Sequence, residues 1–192
     1  MGGAFNPPHV GHLLLAQEAR AELGLNRVLL VTTGEAPHKA IADDPGAEVR
    51  FEMTRLAAEG EEATEAWDFE VRSDGPSYTY LTLAALAEEE PQRELFLLLG
   101  ADAAAGLASW KLPERITELA RIGVVPRPGV GMDAVRSALD RCGAADRGEI
   151  IRMPLCGASS TLIRERAAAG RPLRHLVPDP VIGLISERGL YR

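Results

Sequence analysis

The chain has 192 residues, enough for one domain with its own core and too few to expect two. Acidic residues outnumber basic ones 28 to 21, and the resulting net charge of -7 argues against a broad nucleic-acid or anionic-membrane surface while leaving room for a small anionic ligand. No apolar run approaches membrane-spanning length, the N-terminus lacks a signal-peptide pattern, and Cys142 and Cys156 show neither metal spacing nor a disulfide framework, so a reduced, cytoplasmic protein is expected.

The first segment, Gly2-Gly3-Ala4-Phe5-Asn6-Pro7-Pro8-His9-Val10-Gly11-His12, runs into Leu13 to Arg20, and the spacing predicts a helix over 12–23. Glycines admit close backbone approach, so a glycine turn, a histidine pair and a helix start outline a phosphate cradle. Taken alone, His9 and His12 also read as a turn residue and a helix-start residue. Zinc is disfavoured because no Cys, Asp or Glu lies near the pair to complete a ligand set. The helix dipole disfavours their protonated forms unless an anion is present.

Residues 28–33 read as a buried strand, followed by Pro37-His38-Lys39, either a solvated loop or an anion contact; Lys39 and Lys111 are the two lysines of the chain. A helix is expected over 47–58, and the alternation in 67–71 suits a strand with one polar face. Asp74-Gly75-Pro76-Ser77-Tyr78-Thr79 reads as a β-turn and N-cap opening a helix over 79–89, whose free N–H groups could also receive a carboxylate. The apolar strand 95–99 ends in Gly100-Ala101-Asp102, where the aspartate either caps the next element or accepts from sugar hydroxyls. Trp110 reads as a core lid or as a platform for an aromatic ring, with Lys111 beside it.

Helices are expected over 113–120, 132–141, 161–169 and 180–187, strands over 122–125 and 149–153, and C-caps at Gly24, Gly143 and Gly170. Ser159, Ser160 and Thr161 cap the 161–169 helix, whereas Arg164 in its first turn opposes the macrodipole by roughly 0.3–1 kcal/mol. A bound polyphosphate would offset that cost. Strand–helix alternation predicts an α/β fold, a doubly wound parallel sheet with helices on both faces, in a single domain spanning 1–192, with ligands at the carboxyl ends of the strands.

The H-x-G-H segment resembles the signature of the nucleotidyltransferase superfamily. Pro37-His38-Lys39, Pro76-Ser77-Tyr78-Thr79, Gly100-x-Asp102 with Trp110, Arg127-Pro128-Gly129, Ser159-x-Thr161-x-Ile163-Arg164 and the tail from Leu176 to Tyr191 narrow the resemblance to the bacterial nicotinate-nucleotide adenylyltransferases. It implies a Rossmann-like fold and transfer of AMP from ATP to nicotinate mononucleotide, giving nicotinate adenine dinucleotide and pyrophosphate. It implies catalytic roles for His9, His12 and Arg164, and ATP contacts from Gly2, Gly3, Phe5, Gly100, Asp102, Ser160 and Thr161. Lys39, Thr79, Trp110 and Lys111 would hold the mononucleotide, and Mg²⁺ would arrive bound to the ATP phosphates. Neither nucleic acid nor membrane is implied as a partner, and monomer and homo-oligomer both stay open.

Three substitutions depart from the family pattern: Ala4 for Thr or Ser, Asn6 for Asp, and Ala158 for Ile. The family's first, central strand precedes the glycines, whereas here Met1 alone precedes Gly2, so that strand is expected to be cut short. The rival readings are a phosphopantetheine or nicotinamide-nucleotide adenylyltransferase and a non-catalytic nucleotide-binding homologue.

Overall fold

Three segments, β2 (Val28–Thr32), β4 (Phe96–Gly100) and β5 (Arg121–Val125), are buried along most of their length on both faces, a pattern that suits parallel strands sandwiched between helices. A computed structural model describes residues 1–37 and 40–192. The remaining strands are β1 (Gly2–Gly3), β3 (Thr64–Trp67) and β6 (Gly148–Ile150). They form two open, all-parallel sheets ordered β1-β2-β3 and β4-β5-β6, with Gly2 opposite Val31, Val28 opposite Thr64, and Leu97 opposite Ile122. The α/β class and the parallel pairing match the expectation, but the sheet is in two halves. The inner edge of the first half carries just the two residues of β1.

Nine α-helices are found among the described residues: α1 (Val10–Leu23), α2 (Ala47–Ala58), α3 (Phe69–Arg72), α4 (Thr79–Glu89), α5 (Ala101–Ala105), α6 (Pro113–Leu119), α7 (Met132–Arg141), α8 (Ser160–Ala168) and α9 (Asp179–Glu187). None is long and apolar enough to cross a membrane. Gly24 ends α1 in the left-handed conformation, φ 64°, returning its N–H to the Arg20 carbonyl as a C-cap glycine should.

The core has three parts. One lies between β4–β5 and the helices α4 to α7, centred on Leu97, Leu99, Ile116, Ile122, Val124 and Leu139. A second joins the two half-sheets under α1 through Leu15, Ala19, Leu30, Leu98, Val125 and Ile151. The third packs α2 against α8 and α9 through Met53, Ile163, Val181 and Leu184. That last packing brings the C-terminal helices back to the start of the chain, where Val10 N–H donates to the Leu176 carbonyl at 3.0 Å.

Three elements differ from expectation. Residues 67–71 are not one strand: β3 ends at Trp67 and Asp68 opens the single turn α3. Apolar alternation over five residues fits either geometry. The turn wins because it buries Glu70 against Thr82, 2.6 Å from carboxylate to hydroxyl, and stacks the Phe69 ring on Trp67 at 4.9 Å. The strand expected over 149–153 is β6 at 148–150, continued by one further bond from Ile151 N–H to the Val124 carbonyl. Asp102 is not an N-cap; Gly100 takes that position and Asp102 lies in the first turn of α5, an alanine-rich helix that strand–helix alternation did not resolve.

Candidate active site

The loop 4–9 between β1 and α1 is shaped by its neighbours. The Phe5 backbone takes φ 48°, and its ring, 2% exposed, packs beneath Gly3 and edge-on to His12 at 5.0 Å. A Cβ on Gly3 would lie 3.2 Å from that ring. The Phe5 ring therefore packs behind the loop. Gly2 is different, since nothing lies within 4 Å of where its Cβ would be. The glycine between the histidines has a steric reason too, because a Cβ on Gly11 would meet the His9 ring at 3.1 Å and Cys156 Sγ at 3.3 Å.

His9 is the N-cap of α1, and its backbone N–H donates to His12 Nδ1 at 3.1 Å. That bond leaves the His12 hydrogen on Nε2 while the ring is neutral. The two rings stack with centroids 3.7 Å apart. Burial, and secondarily Arg127, lower the His9 pKa to about 4; burial, His9 and Arg127 hold His12 well below the ordinary histidine value. Both rings are thus neutral at pH 7, chiefly through desolvation rather than the helix dipole alone. His9 Nδ1 is buried with no hydrogen-bond partner among the described residues, an orphan polar atom in an otherwise satisfied interior.

The N-terminus of α8 meets this loop from the far end of the chain. Ser159 caps α8 by accepting from Leu162 N–H at 3.2 Å. Ser160 Oγ donates to the Pro7 carbonyl at 2.9 Å, and Arg164 donates to the Asn6 carbonyl and to the Asp43 carboxylate, both at 3.0 Å. Ser160 and Arg164 are therefore brought to the histidine loop as expected, although the Ser160 proton is already committed to protein. Thr161, next on the helix, is exposed. Asp102 stands at the carboxyl end of β4 and pairs with Arg127 at 3.7 Å. A Cβ on Gly100 would come within 2.7 Å of the Asp102 carboxylate, so a larger residue there would displace that exposed side chain.

A second group assembles at the start of α4. Gly34 N–H donates to Ser77 Oγ at 3.0 Å and Ser77 N–H donates to the Glu35 carbonyl at 2.8 Å, which holds Thr79 at the first position of α4. The N-cap of α4 is Tyr78, and it makes no side-chain capping bond. One cavity of about 1140 Å³ connects the two groups, touching Gly2, Gly3, Ser160 and Arg164 on one side and Thr79, Trp110 and Lys111 on another. Its size exceeds the usual ~300–1,000 Å³ of single-ligand pockets. His9, His12, Gly100, Asp102 and Thr161 stand outside that lining, and Lys39 lies outside the described residues.

Three residues to which sequence reasoning gave no role shape the site. Arg50 is wholly buried and donates to the carbonyls of Ala4, Thr33 and Gly34 and to Asp44. Its signal was a cation on the same helical face as Met53, Thr54 and Ala57. Tyr191 donates to Asn6 Oδ1 at 2.6 Å while the Asn6 amide donates to the Ala42 carbonyl, so the chain end latches the histidine loop. Arg127, noticed as part of a motif, is the cation closest in effect to both histidines.

Comparison with known proteins agrees with this arrangement. Residues 1–166 match the family model described as Cytidylyltransferase-like. The probable nicotinate-nucleotide adenylyltransferase of Roseiflexus sp. (strain RS-1) is 42% identical over 192 residues, covering 100% of this chain and 96% of the relative. That of Gloeobacter violaceus is 40% identical over 195 residues, covering 99% and 93%. Among solved structures, the nicotinic acid mononucleotide adenylyltransferase of Plasmodium falciparum complexed with NaAD superposes with a TM-score of 0.79 at 18% identity, covering 99% of this chain and 94% of that one. A putative nicotinate-nucleotide adenylyltransferase from Vibrio parahaemolyticus gives 0.70 at 20% identity, covering 100% and 92%. The chain belongs to the nicotinate-nucleotide adenylyltransferases, nucleotidyltransferase enzymes of the cytidylyltransferase-like family.

Proposed function

We propose that this chain transfers AMP from ATP to nicotinate mononucleotide, releasing pyrophosphate and forming nicotinate adenine dinucleotide. The observation that carries this reading is the single cavity joining a cationic, N–H-rich loop and helix end to a second helix N-terminus beside Trp110. A polyphosphate suits the first end, where Arg164, the α8 N-terminus and the neutral histidines supply donors. A planar ring bearing a carboxylate suits the second, with Trp110 for the ring and the start of α4 for the charge.

The chemistry asks for little beyond placement. The mononucleotide phosphate has a second pKa near ~6, so an oxygen is already ionised at neutral pH and needs no general base. That oxygen forms a bond to the α-phosphorus of ATP as the bond to the bridging oxygen breaks, and pyrophosphate leaves with the electron pair. No covalent enzyme intermediate is required. His12 Nε2–H and a His9 ring N–H donate to the phosphates. The anion in turn raises the pKa of both rings toward protonation, so donor strength grows as charge collects on the leaving group. Asp102 receives the ribose hydroxyls, and Lys39 and Lys111 attend the mononucleotide.

No cluster of three or more His, Cys, Asp or Glu suited to a metal is found among the described residues. Mg²⁺, held by the ATP phosphates, would neutralise charge between them. The test is pyrophosphate release by purified protein with ATP, Mg²⁺ and nicotinate mononucleotide. His12→Asn is expected to lose at least a hundredfold in kcat with its melting temperature little changed. Unchanged kcat in that variant would contradict the role given to the histidine pair.

A further inference from the structure

The geometry points to Cys156 as a modification site, a thiol that takes a small hydroxyl-bearing disulfide and, once capped, weakens ATP binding at the neighbouring histidine loop. It rests on the placement of ATP given above. Cys156 Sγ lies 3.3 Å from where a Cβ on Gly11 would stand, and His9 Nδ1 lies 3.1 Å from the same point. With no side chain on Gly11, thiol and imidazole border one small space. His9 is 7% exposed and its Nδ1 has no hydrogen-bond partner among the described residues, so a buried polar atom is aimed into that space. The thiol is also reachable from outside. Cys156 is half-buried, Leu155 before it is 87% exposed, and nothing lies within 4 Å of where a Gly157 Cβ would be. Cys142, by contrast, is 2% exposed and belongs to the core around β4, β5 and α7.

The thiolate is the attacking form. The Cys156 proton goes to solvent, its sulfur bonds to one sulfur of the disulfide, the original S–S bond breaks, and the departing thiolate carries off the electron pair. A hydroxyl on the retained half can donate to His9 Nδ1 or accept from it, so either tautomer of the ring gains the partner it lacks. The capped thiol acts on the ATP end by two routes. It fills the space beside the His9 ring, which stacks on His12 at 3.7 Å. A few residues further on, Ser159 caps α8 and Ser160 Oγ holds the Pro7 carbonyl at 2.9 Å, so a shift at Cys156 reaches the helix end that carries Arg164.

The test treats the full chain with hydroxyethyl disulfide, and with diethyl disulfide alongside, and reads intact mass, peptide maps and ATP affinity by calorimetry. One adduct per chain is expected, on Cys156, with Cys142 unlabelled because the core stays closed. ATP should then bind about tenfold or more weakly, and by linkage should loosen the adduct by the same factor. Dithiothreitol should restore ATP affinity. The hydroxyethyl adduct should resist reduction roughly threefold or more better than the ethyl one, as one added hydrogen bond to His9 requires. Cys156→Ser should bind ATP as the parent chain does and ignore both probes. No adduct on Cys156, equal labelling of both cysteines, equal stability of the two adducts, or an adduct that leaves ATP affinity unchanged would overturn the proposal. Pyrophosphate release by the unmodified chain is scored separately. ATP binding without release would end the adenylyl-transfer reading and leave the thiol proposal to its own readouts, whereas an unmodified chain that binds no ATP would end both.

Discussion

Replacing Arg50 with methionine removes a wholly buried guanidinium from between two loops. It donates to Ala4 O at 3.0 Å, Thr33 O at 2.6 Å, Gly34 O at 3.1 Å and Asp44 Oδ1 at 2.8 Å. Asp44 is one-third exposed and recovers water, so the loss falls on the three carbonyls. Each buried acceptor left unsatisfied costs about 1–3 kcal/mol, whereas the apolar methionine regains part of that by burial. A net loss of about 3 kcal/mol is expected, within the 3–5 kcal/mol typical of breaking a buried ionic contact. Against a total stability of about 5–15 kcal/mol this is a large fraction. Equilibrium unfolding in urea should show the midpoint falling with the slope unchanged. Arg50→Lys, which keeps the charge but not the fork, should recover less than half. A loss below about 1 kcal/mol for the methionine variant would refute the claim that Arg50 ties the histidine loop to the end of β2.

Other consequences follow from the same geometry. A Cβ on Gly34 would sit 2.1 Å from the Glu70 carbonyl oxygen, so Gly34→Ala should destabilise the protein by about 1–3 kcal/mol in the same unfolding experiment. Gly11→Ala pushes on the His9 ring at 3.1 Å, and steady-state kinetics should show kcat falling on the order of a hundredfold with a much smaller change in unfolding midpoint. The lowered His9 pKa means the unfolded chain binds a proton first, near pH 6.5, and the folded chain near pH 4. Stability should therefore drop as pH falls through that window, by on the order of 3 kcal/mol from His9, and His9→Asn should flatten the profile there.

The apolar strands and their helices were legible because their sequence periods are strong: β2, β4 and β5 read as short buried runs, and α2, α4 and α7 keep the expected bounds. Ser159 announced its cap, and Gly24, Gly143 and Gly170 all take positive φ where helices end. What did not show was anything decided by distant partners. Trp67-Asp68-Phe69-Glu70-Val71 alternates like a strand, but Thr82 draws Glu70 into a turn. Phe5 sits in a ligand-binding motif, yet its ring packs under Gly3. Arg50 and Tyr191 make their decisive contacts 46 and 185 residues away along the chain, beyond the reach of any local pattern.

The central claim is that ATP binds where the histidine loop meets α8, and a carboxylate-bearing pyridine mononucleotide at the α4 end of the adjoining cavity. Initial rates of pyrophosphate release at saturating ATP and Mg²⁺, with nicotinate mononucleotide, nicotinamide mononucleotide and phosphopantetheine compared side by side, test it most directly. The account predicts the highest kcat/KM for nicotinate mononucleotide, tenfold or more above the amide, since an N–H-lined helix start discriminates a carboxylate by roughly 1.4 kcal/mol or more. Equal rates with acid and amide, or release with phosphopantetheine alone, would contradict it.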